Sequence, residues 1–281
     1  MKHKIRYGMI IKYVFLIILT MVMLYPLVWM LLGSFKTNEE VFSTEHFFPS
    51  VWHFENYVEG WNSIPGFTFT TFFINSFIIS GLITVGAVIS CTMAAYPIAR
   101  LKFKGKNFIF GCIIASLLLP TQILLIPRFM MFSNMGWTDS WLPLIVPSFF
   151  CQVYGAFCIY MMVQFMRSIP VELEEAAIVD GCGIVNRLLS VILPNCMPAV
   201  FTIAIFSFIW SWDDFLNQLV YINSTEKMTV SLALRMFNDN SAVINWGQLF
   251  AVSILSLLPI ALIYAFAQKY FVEGISTTGL K

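Results

Sequence analysis

Few side chains in this sequence are placed to make or break bonds. No G-x-x-x-x-G-K-[ST] occurs, because Lys104-Gly105-Lys106 lacks the first glycine, and neither G-x-S-x-G nor H-E-x-x-H is found. His3, His46 and His53 stand near the start without a partner pattern, and no cysteine pair has metal-ligand spacing, so no metal site and no catalytic group are expected. What the chain offers instead is polar groups set inside or at the ends of long apolar runs. Asn75, Ser76, Thr121, Gln122, Gln152 and Tyr154 lie within such runs, Arg128 closes one, and Trp212-Asp213-Asp214 closes another. Polar groups at membrane depth are costly, which makes each a candidate for lining a path taken by a hydrophilic solute. The competing role is a hydrogen bond between helices, worth roughly 0.6 to 2 kcal/mol.

Those runs define the elements that must hold the polar groups. Of 281 residues, 59% are hydrophobic and 11% charged. Mean hydropathy is +0.80, far from an ordinary soluble domain. Six segments free of Asp, Glu, Lys and Arg are long enough to cross a bilayer. A spanning segment must satisfy its own backbone, and period-two alternation is absent, so the expected fold class is an all-α membrane protein of six helices. The expected spans are 13–35, 70–96, 107–127, 141–166, 196–215 and 246–268, within a single domain covering 1–281. Pro120 and Pro127 predict a kink in the third. The first run lacks a small-residue cleavage site and is read as a retained helix.

Lys and Arg orient the chain. With both termini cytoplasmic, the inner segments hold Lys2, Lys4, Arg6, Lys12, Arg100, Lys102, Lys104, Lys106, Arg167, Arg187, Lys269 and Lys281, and the outer ones keep Lys36, Arg128, Lys227 and Arg235. The outer segment after the first span, with Phe47-Phe48-Pro49 and Trp61-Asn62-Ser63-Ile64-Pro65, is expected to pack as a small cap. The six cysteines fall in or beside apolar spans or in an inner loop and read as free thiols.

The inner segment 167–195 is longer than a turn between neighbouring spans requires. Ser168-Ile169-Pro170-Val171-Glu172 opens it like a helix start, with Ser168 as cap, Pro170 in the first turn and Glu172, Glu174 and Glu175 near the positive end of the dipole. Gly181 and Gly183 interrupt the helical pattern, and Pro194 and Pro198 mark the return to the membrane. An amphipathic helix lying on the bilayer would prefer Lys and Arg on its polar face, whereas this one is acidic.

Residues 174–194 read E-E-A-A-I-V-D-G-C-G-I-V-N-R-L-L-S-V-I-L-P. This resembles the signature loop of bacterial binding-protein-dependent ABC importer permeases, in which E-A-A is followed after three residues by G, and then by I-x-L-P. Glu175, Ala176, Ala177, Gly181, Leu193 and Pro194 match in type and spacing, and Val191 replaces the usual Ile. Phe73 to Phe77, Leu119-Pro120-Thr121-Gln122, Trp212 to Leu216 and Gln268 to Gly274 are similar to the maltose-type carbohydrate permeases. There the fifth-span motif more often has Asn where Asp213 stands, and Pro where Gln218 stands.

The resemblance implies a sugar-translocating permease subunit of an ATP-driven importer in a bacterial cell membrane. Loop 167–195 would dock on a separate ATPase through Glu174, Glu175, Ala176, Ala177, Asp180, Gly181, Leu193 and Pro194, with Glu175 and Asp180 offering charge, Ala176 and Ala177 allowing close approach, and Gly181 permitting the turn. It further implies a second, homologous permease in a heterodimer, two ATPase subunits that carry the ATP and Mg, and an extracytoplasmic sugar-binding protein. No cofactor is expected on this chain, and no nucleic-acid partner. Trp212, beside Asp213 and Asp214, is the aromatic expected to lie nearest a sugar-stacking cavity. The Asp variant of this motif suggests oligosaccharide fragments, acidic ones needing a cation such as Arg128. Amino-acid or other small-solute importers carry the same loop pattern, and a secondary transporter or channel is the rival of a different class.

Overall fold

The computed structural model describes residues 7–43, 46–151, 154–239 and 244–278, and among them every regular element is helical. In chain order the α-helices are α1 (Tyr7–Gly33), α2 (Asn38–Val41), α3 (Glu55–Trp61), α4 (Phe69–Arg100), α5 (Lys106–Ser116), α6 (Leu125–Asn134), α7 (Leu142–Ile145) and α8 (Gly155–Ser168). There follow α9 (Val171–Val179), α10 (Ile184–Asn186), α11 (Leu193–Asn195), α12 (Met197–Trp212), α13 (Leu216–Tyr221), α14 (Val230–Asp239) and α15 (Trp246–Thr278). Tighter 3-10 turns cover Thr121–Leu124, Val146–Phe150 and Thr225–Lys227, and a π-helical stretch covers Arg187–Ile192.

Among the described residues, four stretches are by themselves long and apolar enough to cross a membrane: Met9–Gly33, Phe69–Arg100, Leu142–Ser168 and Trp246–Phe266. Two more qualify only as bent pairs, Lys106–Ser116 with Thr121–Asn134 at 96° and Ile184–Asn195 with Met197–Trp212 at 81°. The break expected as a kink in the third span is therefore much sharper. Pro120 offers no N–H and disfavours helical geometry at Leu119, so α5 stops at Ser116 and the chain restarts in a 3-10 turn. Proline also explains the fourth segment, where Pro143 sits in the first turn of α7 and Pro147, lacking the N–H that would continue the helix, marks the change to 3-10 geometry before α8. Pro194 and Pro198 flank the bend ahead of α12.

The chain divides into two compact units, Met1–Phe69 with Leu234–Leu258, and Thr70–Ala233 with Pro259–Lys281. In the first, the segment after α1 folds back on the end of that helix. Buried Asn56 donates to the carbonyls of Ser34 at 2.9 Å and Lys36 at 3.1 Å, and Tyr57 and Ser34 share a 2.8 Å hydroxyl bond. Asn38 accepts from the Trp246 backbone at 2.8 Å and donates to the Ile244 carbonyl at 2.9 Å, tying this segment to the start of α15. In the second unit, α4, α8 and α12 share a core of Cys91, Ala95, Tyr96, Cys158, Met162, Val163, Met166, Cys196, Ala199 and Ile203. All six cysteines are free thiols. Another cluster of the same unit packs Ile79 and Ile83 of α4 against Phe132, Leu144, Tyr221, Ile222 and Leu232.

Candidate translocation cavity and coupling loop

The segment after α8 begins differently from its sequence reading. The Ser168 hydroxyl bonds back to the Phe165 carbonyl at 2.7 Å and does not cap the next helix; Pro170 occupies the N-cap position, and α9 starts at Val171. At the other end the chain closes in a Schellman arrangement, the Cys182 N–H bonding the Ala177 carbonyl at 2.9 Å and the Gly181 N–H that of Ile178 at 3.0 Å. Gly181 takes φ +79°, the left-handed conformation that residues with a side chain resist, and the space its Cβ would enter is open.

The side chains of this loop face two ways. Glu175, Ala176, Asp180, Gly181 and Pro194 are exposed, Leu193 is half-buried, and Ala177 is buried. Glu174, grouped with the docking residues by sequence, instead turns inward and is 6% exposed. The Tyr96 hydroxyl donates to its Oε1 at 2.6 Å, Arg187 approaches the same oxygen at 3.5 Å, and Arg100 Nε lies 3.9 Å from Oε2. Arg100 also donates to the carbonyls of Met166 and Ile169, closing the end of α8. One carboxylate thus joins α4, α9 and the π-helical stretch. Beside the exposed acids, Ile178, Val179, Ile184 and Val185 present apolar side chains, Val179 at 87% exposure. Sequence reasoning passed over these four; their signal was apolar residues flanking a pair of glycines that no core claims.

A cavity of about 250 Å³ lies within the second unit. It gathers Thr121 and Gln122 from the turn after Pro120, Arg128 from α6, Tyr154 at the start of α8, and Asp214 just beyond α12, all anticipated from sequence. Ser211, Asn217 and Tyr221 join them, and Ile83, Phe132 and Leu144 supply apolar wall. The sharp break at Pro120 brings Thr121 and Gln122 there. Tyr154, in left-handed geometry at φ +54°, donates its hydroxyl to the Trp210 carbonyl at 3.1 Å. Asp214 accepts from the Asn217 backbone at 3.1 Å and from its side-chain amide at 2.9 Å. Ser211 Oγ and Arg128 Nε are buried with no hydrogen-bond partner among the described residues.

Other sequence candidates do not line this cavity. Asn75 donates to the carbonyls of Glu226 and Met228, each at 2.8 Å, and the Ser76 hydroxyl accepts the Val230 N–H at 2.9 Å, so both anchor the chain entering α14. Trp212 is 4% exposed, packed with Phe73, Phe77 and Phe208, and presents no stacking face to a solute. Asp213 is exposed and not in the cavity wall, and Gln152 lies outside the described residues. A latch on the loop between α6 and α7 went unforeseen. Asp139 accepts from the Ser224 hydroxyl at 2.5 Å, the Ser224 and Asn223 N–H groups at 2.8 and 3.0 Å, and Lys227 at 3.0 Å. These donors, the Ser224 hydroxyl foremost, hold its carboxyl well below the usual carboxylate range.

Residues 86–277 match the family described as binding-protein-dependent transport system inner membrane component. A probable ABC transporter permease protein of Bacillus subtilis is 32% identical over 96% of this chain and 87% of its own length. A sulfoquinovosyl glycerol transport system permease of Agrobacterium fabrum is 31% identical, over 92% of this chain and 89% of its own. A solved bacterial ABC transporter involved in the import of the acidic polysaccharide alginate has the same fold, with a TM-score of 0.82 at 22% identity, covering 96% of this chain and 99% of that one. This is a transporter permease, a multi-pass membrane protein. The chain belongs to the binding-protein-dependent transport system inner membrane component family, so the loop resemblance identified the family correctly.

Proposed function

We propose that this chain is one of two permease subunits of an ATP-driven importer that takes a saccharide, in oligomeric form, from an extracytoplasmic solute-binding protein into a bacterial cell. ATP and Mg bind a separate pair of ATPase subunits; this chain carries no cofactor and has no enzymatic activity of its own. Its partner permease is a different, homologous chain, both its termini are cytoplasmic, and loop 167–195 is the contact with the ATPase. The observation that carries this reading is the two-faced loop. Glu174 fixes α9 to α4 from within, while Glu175, Asp180, Val179 and Val185 face outward around the Gly181 turn. A surface mixing exposed apolar groups with carboxylates suits a protein groove better than either lipid or water. Relatives named for sulfoquinovosyl glycerol and for diacetylchitobiose support a saccharide cargo, as does a cavity whose polar wall can bond hydroxyls.

The test is co-purification from detergent, followed by uptake. The complex should contain an ATPase and a second permease, and vesicles holding it should accumulate oligosaccharide only with ATP and the binding protein. Uptake that persists without any ATPase would overturn the reading in favour of a secondary transporter or channel.

A further inference from the structure

The cavity wall includes a cation with no partner among the described residues. Arg128 makes no hydrogen bond or ion pair among the described residues, and its Nε is buried without an acceptor. A half-buried guanidinium is costly to hold unless a counter-charge faces it. Asp214, the one carboxylate in the cavity wall, forms no ion pair with Arg128 and is instead bonded by Asn217 through both backbone and side chain. A second unsatisfied group, the Ser211 hydroxyl, lies in the same wall, on a residue 1% exposed. The same wall thus combines an unpaired guanidinium with carboxylate, amide and hydroxyl groups.

We propose that this cavity is a subsite for an acidic saccharide, with a ligand carboxylate or sulfonate seated on Arg128 and ring hydroxyls bonded by Asp214, Asn217 and Ser211. This deepens the saccharide reading above and rests on it. A guanidinium holds a carboxylate or sulfonate through two parallel N–H bonds, which fixes the orientation of the sugar as well as its charge. At about 250 Å³ the cavity is smaller than whole-ligand pockets and takes one sugar unit.

The experiment uses the complete importer in vesicles and compares a trisaccharide of galacturonic acid with the neutral trisaccharide made by reducing its carboxyl groups. Equilibrium binding of each radiolabelled sugar to the same purified complex supplies a readout independent of turnover. The wild type should favour the acidic sugar, and Arg128→Gln should lower the acidic-to-neutral ratio at least about tenfold in both assays, as expected for removal of one partner of a desolvated charge pair. Arg128→Lys, which keeps the charge and loses the fork, should recover part of that ratio. Equal handling of both sugars by the wild type, or a ratio unchanged in Arg128→Gln, overturns the inference while leaving the importer intact. Loss of the second permease from the Arg128→Gln complex also overturns it, because the counter-charge then belongs to that subunit. Transport of neither sugar, nor of any other saccharide, removes the reading on which the inference rests.

Discussion

Glu174→Ala is the most informative single change outside the cavity. The 2.6 Å bond from Tyr96 to a charged acceptor contributes about 1.5–3 kcal/mol. Removing the carboxylate also leaves Arg187 and Arg100, with side chains 13% and 6% exposed, facing one another without their shared anion. Breaking a buried pair costs about 3–5 kcal/mol, but Arg100 keeps its bonds to the carbonyls of Met166 and Ile169, which places the total near the lower end, about 3 kcal/mol. Glu174→Gln retains an acceptor for Tyr96 and loses only the charge, so it should cost about half as much. The assay is unfolding of the detergent-solubilised complex, with Tyr96→Phe completing a double-mutant cycle. Because the two residues share one bond, the pair should fall short of additivity by about 1–2 kcal/mol. In the intact importer, Glu174→Ala should also reduce substrate-stimulated ATP hydrolysis, since α9 would no longer be fixed to α4. A change below about 0.5 kcal/mol together with additive behaviour would refute the clamp.

Three further outcomes are expected. Gly181→Trp should leave the chain in the membrane and abolish both transport and substrate-stimulated ATP hydrolysis; the strain at φ +79° costs only about 1–2 kcal/mol, so the loss reports the outward face rather than folding. Normal transport by this variant would remove the turn from the coupling interface. Gly86→Val places a Cβ 2.9 Å from the Phe149 ring and against the Ser148 hydroxyl, and should destabilise by about 1–3 kcal/mol, read as a lower melting temperature in detergent. Asp139→Asn tests the loop latch by pH. The folded carboxyl is held below its unfolded value near 4, so its contribution is complete above that value and fades only as pH falls further, through the folded pKa. The stability gap between wild type and variant should therefore stay constant from pH 8 to about pH 5 and close below about pH 4; a gap that closes between pH 8 and 6 would point to another group.

The apolar runs coincide with the four long apolar stretches and the two bent pairs among the described residues, because a bilayer demands length and apolarity, both visible residue by residue. Bends were harder to foresee. Pro120 was recognised as a point of weakness, yet a proline alone does not say whether a helix kinks or turns through 96°. Among the cavity residues, Thr121, Gln122, Arg128, Tyr154 and Asp214 were legible as polar groups in apolar surroundings. Asn75 and Ser76 gave the same signal for a different reason, because a polar side chain that anchors backbone carbonyls and N–H groups looks no different in sequence from one facing a solute. Glu174 was grouped with Glu175 because the two carry the same charge, and only a helix phase referred to Tyr96 and Arg100 separates the inward carboxylate from the outward one. The Asp139 latch joins residues 85 positions apart and left no local pattern to read.

The π-helical stretch Arg187–Ile192 bears on how such loops tolerate change in length. Wide turns of this kind hold one more residue than α-helix without altering the phase of the segments on either side. Deleting a single residue from 187–192 can then be absorbed by tightening the turns, with Leu193, Pro194 and α12 keeping their orientation. Adding one has no such outlet and would rotate everything downstream by about 100°. Length variation at this point is thus asymmetric: the loop has one residue of slack in one direction and none in the other.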